Sequence, residues 1–422
     1  MDHPSVVKIR QFHCDLKDSF DFRQISVNDI MSKLKTINPR KATGYDNIPG
    51  KLLRVAHNEL SVPICHLLNS CISHQRFPGV FKFAEVSPAY KKSDNLYKGN
   101  YRPVSVLSCL SKLYESVLND QLIEYFCHLF NKLVSAFRKG YSCQSLLVRL
   151  IDDWKNALDK NNTIGAVFMD LSKAFDCLPH SLLIAKCHSY GLNYSSCCLL
   201  ADYLSDRKQR VKLGNSRSSW NTLTKGVPQG SILGPLLFNV FINDLFLFIE
   251  KCSLYNYADD NSLSVFSPST DEVIDYLRHD SQISIDWFNS NGMEANPEKF
   301  QFMLLSSKPT VIKKLDIGRG TTVTTESSVK ALGVVIDNGL NFSEHVSIRC
   351  RKAARQLNAL ARVSKFLDYS SRKIIYNSFI RSNFSYCPLV WMFCGKENSK
   401  KIEKIQERAL RVLHNDYGLW SF

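Results

Sequence analysis

The pattern of apolar and polar positions predicts a chain that mixes strands and helices. The run "NTIGAVFMD", which ends at Asp170, is continuously apolar and is typical of a strand buried on both faces. Two short strand-like runs enclose the "ADD" turn at 258–260 and predict a hairpin. Apolar residues at helical spacing predict further helices. These cover about 179–189, 194–205, 231–249, 270–289, 344–366, 370–385 and 397–415.

The amino-terminal third gives weaker signals. Residues 1–25 have no clear periodicity and are predicted to be a linker, or the tail of a missing upstream domain. Ser26 is predicted to cap a helix, with Asp29 in the capping-box position. A helix is predicted over 51–74, where Pro63 should break or kink it.

Two further blocks predict strands. The stretch from Phe83 to Leu118 reads as a strand, a basic loop and a helix, and "QRVKL" to "TLTKGV" reads as a strand pair around the turn "GNSRSS". The last helix is predicted to bury one apolar face. That face comprises Ile402, Ile405, Ala409, Leu410 and Leu413.

The most apolar stretch, 231–249, is long enough to suggest a membrane span. Four of its residues argue against this, because Pro, Asn and Asp side chains are costly in lipid. They are Pro235, Asn239, Asn243 and Asp244. The stretch is therefore predicted to be a buried helix, and no membrane partner is expected.

Composition favours a folded protein with a polyanionic partner. The chain has 422 residues, 44% hydrophobic, 11% aromatic and 22% charged, which predicts two or three domains or subdomains rather than disorder. The net charge of +15 points most simply to nucleic acid, although a basic surface kept for solubility is the alternative. From His345 to Phe422 there are 15 Lys and Arg against 5 Asp and Glu, which is +10 of that total.

The fourteen cysteines form no CxxC pair and match no zinc pattern. The sequence also lacks an amino-terminal apolar segment of the secretory kind. We therefore predict reduced, mostly buried thiols in an intracellular protein, with no disulfide-linked partner.

Three aspartates have the arrangement that a two-metal phosphoryl-transfer site needs. Asp170 ends a predicted strand, and Asp259 and Asp260 lie in a predicted turn. Hard cations such as Mg²⁺ prefer carboxylate oxygens, and two such ions activate the attacking hydroxyl and stabilise the leaving group. Adjacent aspartates are also common in ordinary turns, and taken alone the pair favours that interpretation.

The order of the motifs around Asp259 and Asp260 favours the metal site over an ordinary turn. The chain resembles the reverse transcriptase domain of non-LTR (LINE-type) retrotransposons over roughly residues 25 to 420. Four motifs carry most of the resemblance: "NYRPVSVLS" (100–108), "VFMDLSKAFD" (167–176), "GVPQGSILGPLLFN" (226–239) and "YADD" (257–260). Supporting blocks follow the family order at 38–49, 136–147, 291–306 and 329–346.

The resemblance implies an α+β fold of the right-hand polymerase type, with fingers, an RRM-like palm of antiparallel sheet plus helices, and a helical thumb. Residues 26–342 would form fingers and palm. Residues 343–422 would form a basic, truncated thumb that follows the primer–template backbone. "LGVVID" (332–337) resembles the primer-grip hairpin.

The resemblance also assigns the reacting centre. Asp170, Asp259 and Asp260 would bind two Mg²⁺ ions, with Mn²⁺ as a possible substitute. Phe175 occupies the position of the family's sugar-gating aromatic, whose ring would clash with a ribose 2′-hydroxyl. An ordinary core phenylalanine is the alternative for Phe175.

Further positions match nucleotide contacts of the family. Lys91 and Arg102 would hold the incoming triphosphate, as cations that stabilise charge on the transferred phosphate. Lys92 is a near-equal candidate for the first role, and a solvated basic pair is the alternative for both lysines.

Gln229 and Gly230 would lie against the nucleotide and the template. The alternative is that they belong to an ordinary proline–glycine turn without a binding role. Lys299 matches a lysine sometimes assigned as proton donor to pyrophosphate, although a lone lysine after a turn is usually solvated.

The leading hypothesis is an RNA-directed DNA polymerase that extends a DNA 3′-hydroxyl with dNTPs on an RNA template. Its partners would be the RNA template and a DNA primer or target, in nucleus and cytoplasm. A group II intron or retroviral-type enzyme is less favoured, because the blocks "NYRPVSVLS" and "KATGYDNIP" are more similar to LINE-type sequences. Phe175 and "YADD" count against an RNA-dependent RNA polymerase.

A catalytically inactive or domesticated nucleic-acid-binding relic remains the alternative from a different class. The family's endonuclease and cysteine–histidine knuckle are not recognised in this sequence. Target nicking by this chain is therefore doubtful.

Overall fold

The computed structural model describes residues 2–14, 19–91, 94–306, 314–318 and 320–414. The chain divides into two compact units, each built from several segments. The first comprises Met1–Phe137, Leu171–Glu250 and Ile283–Ala295, and the second Arg138–Asp170, Lys251–Gln282 and Asn296–Phe422. Both contain helices and strands, which confirms the predicted α+β class. The predicted division at residues 25 and 342 stays a prediction.

Helices occur throughout the described residues. They are α1 (Pro4–Phe12), α2 (Val27–Thr36), α3 (Gly50–Val55), α4 (His57–Ser73), α5 (Cys109–Phe126), α6 (Cys143–Asp159), α7 (Ala174–Cys177), α8 (His180–Ser189), α9 (Tyr194–Leu204), α10 (Leu233–Ile242), α11 (Thr270–Ser290), α12 (Ser343–Val363), α13 (Tyr369–Ile375), α14 (Pro388–Trp391) and α15 (Lys396–His414).

The strands are mostly short. They are β1 (Phe83–Tyr90), β2 (Tyr101–Leu107), β3 (Thr163–Met169), β4 (Leu171–Ser172), β5 (Lys208–Leu213), β6 (Ser216–Arg217), β7 (Asn221–Thr222), β8 (Ser253–Tyr257), β9 (Asp260–Ser267), β10 (Glu294–Ala295), β11 (Gln301–Leu305), β12 (Lys314–Asp316), β13 (Thr322–Thr324), β14 (Ser328–Ala331) and β15 (Val334–Asp337).

The first unit contains a sheet with strand order β2-β1-β5-β6, and β7 also pairs with β5. β1 runs antiparallel to β2 and parallel to β5. Side chains alternate along β1, so that Ala84 and Val86 lie in the core while Glu85 lies on the other face. The predicted strand pair around "GNSRSS" is only partly right. β5 pairs with β7, but β7 overlaps the predicted second strand only at Thr222, and β6 lies within the predicted turn.

Glu85 is a buried carboxylate held by three cations. Its oxygens lie 2.6 Å from Arg210, 2.9 Å from Arg217 and 3.1 Å from Lys212. Burial alone would raise the pKa of Glu85, but hydrogen bonds from Arg210, Arg217 and Lys212 outweigh it and lower the pKa from 4.5 to about 2.

This shift predicts a pH dependence of stability. Because the pKa of Glu85 is lower in the folded state, its contribution is complete above pH 4.5 and is lost as the pH falls towards 2. The loss should be about 2–3 kcal/mol. Urea unfolding of the parent and of Glu85→Gln at several pH values checks this. The difference between the two proteins should shrink at acid pH, and a constant difference would contradict the assignment.

The second unit contains an antiparallel sheet with strand order β11-β3-β9-β8. Every residue of β3 is buried, which confirms the prediction of a strand covered on both faces. Gly165 of β3 allows α11 to pack closely. A Cβ there would lie 2.5 Å from Leu277 and 2.6 Å from Val273.

The carboxy-terminal helices share an apolar cluster. Its buried members are Ala353, Leu357, Leu360, Tyr376, Ile380, Ala409, Val412 and Leu413. The predicted face of α15 is correct at Ala409 and Leu413, but Leu410 is 47% exposed and Val412 takes its place. Val412 is three residues from Ala409 and shares its face, whereas Leu410 is displaced by about 100° around the helix. The predicted helix over 370–385 is α-helical only in α13.

Three predictions about the amino-terminal half are corrected. Residues 4–12 form α1, whose Val6 and Ile9 are fully buried. The helix packs against α8 and against the 3₁₀ helix Asn243–Leu247 that follows α10. Its nine residues are too few for a clear periodic signal. The segment "NYRPVSVL", which was not predicted as a strand, forms β2 because its backbone pairs with β1 along seven residues.

The helix predicted over 51–74 is interrupted at Ala56, and Pro63 lies inside α4. Pro63 is exposed, so water can satisfy the carbonyl group that its missing N–H leaves without a partner. The capping box of Ser26 and Asp29 at the start of α2 is confirmed.

The apolar stretch 231–249 is buried, as predicted, in α10 and the 3₁₀ helix after it. No helix among the described residues is long and apolar enough to cross a membrane. The cysteines are unpaired, but the prediction that most are buried is wrong. Only four are buried, namely Cys65, Cys187, Cys197 and Cys387.

Candidate active site

The "ADD" sequence forms the predicted hairpin turn in the second unit. β8 and β9 pair as far as Tyr257 and Asp260, so the turn consists of Ala258 and Asp259. Ala258 has a positive φ of 56°, a conformation that costs a residue with a Cβ about 1–2 kcal/mol. The tight turn leaves the side chains of Asp259 and Asp260 exposed.

Two buried asparagines hold this turn in shape. The Asn256 side-chain amide donates to the Ala258 carbonyl at 2.7 Å and to the Asn261 side-chain oxygen at 2.9 Å. The Asn261 amide donates to the Asp259 carbonyl at 3.2 Å. Sequence reasoning missed both residues, although their positions on either side of "YADD" were a visible signal.

The strand register brings Asp170 to the same end of the sheet. The last bonded pair between β3 and β9 joins Met169 to Asn261. Asp170 and Asp260 are the next residues at this end, so two of the three predicted carboxylates lie across from each other. We call Asp170, Asp259 and Asp260 the carboxylate end of the sheet.

Lys299 contacts the carboxylate end directly. Its ammonium donates to Asp170 at 3.2 Å, and the backbone N–H of Asn296 donates to the Asp170 carbonyl at 3.1 Å. In the part of the chain that the structure describes, no three His, Cys, Asp or Glu side chains lie close enough to hold a metal ion. The donor chemistry of these residues nevertheless suits a hard cation, because carboxylate oxygens are the ligands that such ions prefer.

The other residues that the sequence predicts for the site lie in the first unit. Phe175 is half-buried and stacks on Phe238 with ring centroids 4.3 Å apart and planes 19° apart. Its ring also makes an edge contact with Phe137 at 6.0 Å. Phe175 is therefore packed against a fixed platform while part of it remains open to solvent. A core role and a role in nucleotide selection are both compatible with this position.

Gln229 and Gly230 are fixed against β2 and α7. The Gln229 amide donates to Asp176 at 2.9 Å, and its carbonyl accepts from the Ser105 N–H at 2.7 Å. Gly230 has a φ of 122°, and a Cβ there would lie 2.5 Å from the Ser105 carbonyl oxygen. Only glycine fits this close approach.

A fully buried glutamate on α5 holds the start of the helix that follows this loop. The Glu115 carboxylate accepts from the N–H groups of Ile232 at 2.7 Å and Leu233 at 3.2 Å. It also accepts from the hydroxyls of Ser111 and Tyr203. Burial raises the pKa of Glu115, although these backbone contacts oppose the shift. Sequence reasoning missed this residue, because nothing in its local helical pattern sets it apart.

We expect Glu115→Ala to disturb the loop at Gln229 and Gly230, because it leaves two buried N–H groups unsatisfied. The free energy of unfolding should fall by about 2–4 kcal/mol. In an assay of dNTP incorporation, the activity that the family resemblance implies, KM for dNTP should rise on the order of 10-fold. Glu115→Gln is the matched control, since its amide oxygen can accept from both N–H groups while Ser111 accepts from its amide nitrogen. Equal effects of the two changes would contradict a positioning role.

Arg102 lies on β2, and Lys91 directly follows the end of the neighbouring strand β1, in the first unit. Arg102 pairs with Ala89, and Lys91 lies two residues beyond Ala89, so both cations share one face of the sheet. Both residues are exposed. Lys92, the other candidate, lies outside the described residues.

Sequence comparison identifies the family of this chain. The model for reverse transcriptase (RNA-dependent DNA polymerase) matches residues 90–336, more than half of the chain. The chain belongs to this family and has its fold. Members of the family use divalent metal ions and bind an RNA template and a DNA primer.

Similar proteins come from non-LTR retrotransposons, which confirms the resemblance stated above. The chain is 28% identical over 420 residues to a probable RNA-directed DNA polymerase from transposon BS of Drosophila melanogaster, covering 94% of this chain and 45% of that protein. It is 25% identical over 400 residues to the RNA-directed DNA polymerase from mobile element jockey of Drosophila funebris, covering 92% and 43%. The chain thus spans less than half the length of these relatives.

A solved structure of apo telomerase from Candida tropicalis, truncated from its C-terminal domain, has a partial likeness. The TM-score is 0.43 at 13% identity, covering 61% of this chain and 53% of that one. This likeness is too weak to support an argument about function.

Proposed function

We propose that the chain is an RNA-directed DNA polymerase that adds dNTPs to a DNA 3′-hydroxyl on an RNA template. The observation that carries the proposal is the register at the carboxylate end, which sets Asp170 across from Asp260 beside the exposed Asp259. Family membership supports it. These three carboxylates would hold two Mg²⁺ ions, with Mn²⁺ as a substitute. When bound, the ions supply the charge that activates the hydroxyl and stabilises the leaving pyrophosphate.

The other residues contribute binding and orientation. Lys91 and Arg102 hold the triphosphate through their positive charges, and Gln229 and Gly230 bind the base pair being formed. Lys299, which already contacts Asp170, donates a proton to the pyrophosphate as it leaves.

The proposed partners and location are those that the resemblance to retrotransposon enzymes implies. The template is the RNA of a retrotransposon, the primer is DNA at a target site, and the protein works in nucleus and cytoplasm. Residues 343–422 act as a thumb that contacts the primer–template backbone, which agrees with their 15 Lys and Arg against 6 Asp and Glu.

Primer extension on an RNA template of defined, mixed sequence tests the proposal. We expect a DNA product complementary to the template, with one pyrophosphate released per nucleotide added. A protein that binds the primer–template in low salt but adds no nucleotide with Mg²⁺ or Mn²⁺ would contradict the proposal. That result would support the nucleic-acid-binding relic instead.

We further expect Phe175→Val to relax the choice of sugar. Phe175 stacks on Phe238. As a gate, its ring would clash with a ribose 2′-hydroxyl, and valine would remove that clash. The preference for dNTP over rNTP, measured as a ratio of kcat/KM, should fall on the order of 10- to 100-fold. Phe137→Leu is the control, because it changes a ring that contacts Phe175 without removing the gate. An unchanged preference in Phe175→Val would leave Phe175 as an ordinary core residue.

A further inference from the structure

The loop at 226–230 is bonded to the segment at 175–180, which lies beside it in the first unit. We call 226–230 the Gln229 loop. The Val227 N–H donates to the Phe175 carbonyl at 2.9 Å, so the backbone of the loop is joined to the residue that is proposed to select the sugar. The segment and the loop therefore form one structural piece.

Gly226, the first residue of the Gln229 loop, is held by two hydrogen bonds. Its N–H donates to the Leu178 carbonyl at 2.8 Å, and its carbonyl accepts from the His180 Nε2 at 2.7 Å. Its φ is 78°, and a Cβ there would lie 2.6 Å from the backbone of Asp176, so glycine is needed for this approach. Both polar groups of the Gly226 backbone are thus satisfied by the segment at 175–180.

The His180 ring reaches the loop from a fixed backbone. A carbonyl oxygen can only accept a hydrogen bond, so Nε2 is the ring nitrogen that carries hydrogen and donates. His180 begins α8 and follows Leu178, which is fully buried, and Pro179. The Pro179 ring is packed so closely that a Cβ at Gly292 would lie 3.0 Å from it. The position of the imidazole is therefore set by the fold.

The other end of the Gln229 loop is held separately. The Glu115 carboxylate accepts from the N–H groups of Ile232 and Leu233, which follow the loop. The two residues before the loop, at 224–225, are exposed. The position of this end of the loop therefore rests on the bonds that Gly226 makes, one of which comes from the His180 side chain.

We propose that His180 is a positioning residue for the choice of nucleotide, which acts through Gly226 on the Gln229 loop. This rests on the proposed polymerase function, in which Gln229 binds the base pair being formed and Phe175 meets the sugar. Discrimination between two sugars requires these residues to keep a fixed separation. His180 closes the piece that carries both of them.

An ordinary histidine that satisfies a carbonyl group is the alternative. Loss of such a residue would lower stability, but it would leave the choice of sugar unchanged. The two interpretations therefore differ in the mobility of the Gln229 loop and in the preference for dNTP over rNTP.

The test compares three variants of the full chain with the parent. His180→Ala removes the bond to Gly226, and His180→Gln keeps it, because the amide nitrogen of glutamine takes the place of Nε2. His57→Ala is the matched control. His57 also begins a helix of the first unit, α4, is half-buried, and its ring bonds a backbone carbonyl, that of Arg54, at 2.9 Å.

Hydrogen exchange of the free chain reports on the loop without any substrate. It is measured by mass spectrometry on peptides that contain Gly226 and Val227. We expect exchange on the order of 10-fold faster in His180→Ala, because the two N–H groups open more often when the loop is held less firmly. His180→Gln and His57→Ala should exchange at the parent rate. An unchanged rate in His180→Ala would overturn the proposal.

Primer extension by a single dNTP or rNTP on an RNA template reports on the choice of nucleotide. For His180→Ala we expect KM for dNTP to rise on the order of 10-fold, with kcat within about threefold of the parent. The preference for dNTP over rNTP, as a ratio of kcat/KM, should fall on the order of 10-fold. His180→Gln should recover most of both losses, and His57→Ala should match the parent.

An unchanged preference in His180→Ala, or the same loss in His180→Gln or His57→Ala, would overturn the proposal. A parent that adds no nucleotide would refute the polymerase function instead. The exchange measurement would then decide on its own whether His180 holds the loop.

Discussion

Asp170→Asn is expected to lower the rate of dNTP incorporation on the order of 10³-fold while leaving the fold unchanged. Asparagine has the shape of aspartate but no charge, so the carboxylate end would hold divalent ions more weakly. Their stabilisation of the transition state is worth several kcal/mol, and about 4 kcal/mol corresponds to this factor. Single-turnover extension of a DNA primer on RNA, at saturating dNTP, measures the effect.

The control is Asp271→Asn, which neutralises an exposed carboxylate in the first turn of α11, within the second unit. It should extend at the parent rate. Raising the Mg²⁺ concentration should restore part of the activity of Asp170→Asn. The activity of the Asp271→Asn control should stay at the parent level. An Asp170→Asn protein that works within a few-fold of the parent would remove Asp170 from the site.

Much of the carboxylate end could be predicted from the sequence. A buried run ending in Asp170 and two strand-like runs around "ADD" are local patterns, and a period of two specifies both strands. The role of Asn256 and Asn261 could not be predicted in this way. It depends on side chains that meet across the turn, and on a positive φ at Ala258 that alanine does not favour.

Asp244→Ala is expected to cause the largest loss of stability, about 3–5 kcal/mol in the free energy of unfolding. Asp244 and Lys186 form a fully buried ion pair at 2.5 Å. Asp244 also accepts from the Trp287 indole N–H at 2.9 Å. Burial lowers the pKa of Lys186 to about 8, opposed by the charge of Asp244. Removing the aspartate would leave the ammonium in the core without a counter-charge, bonded among the described residues only to the Phe241 carbonyl at 2.8 Å, and the indole N–H without a partner. Urea unfolding at pH 7 measures the loss.

A double variant separates the pair from its surroundings. Lys186→Met with Asp244→Asn removes both charges, keeps an acceptor for Trp287 and roughly preserves volume. It should recover most of the stability, because a buried ion pair replaced by neutral groups is often close to neutral. If the double variant were as unstable as Asp244→Ala, the loss would come from packing and not from an unpaired charge.

The sequence predicted the burial of 231–249 but not this partner of Asp244. One proline and three polar residues in an apolar run argued against a membrane span, yet the partner of Asp244 lies in α8, 58 positions earlier in the chain. The same applies to Glu115, whose contacts are 117 and 118 residues away. Local periodicity identifies which faces are buried, whereas long-range pairing of buried polar groups becomes visible only in the folded chain. The missed α1 is a different case, since nine residues carry too few apolar positions to define a period.

The most direct test of the central claim is dNTP incorporation on oligo(dT)-primed poly(rA) with Mg²⁺. It compares the parent chain with the double variant Asp259→Ala, Asp260→Ala. Extension by the parent and none by the variant is the predicted result, and it would make the hairpin turn part of a metal-dependent polymerase site. Equal extension by both proteins, or none by a folded parent that still binds the primer–template, would contradict the claim.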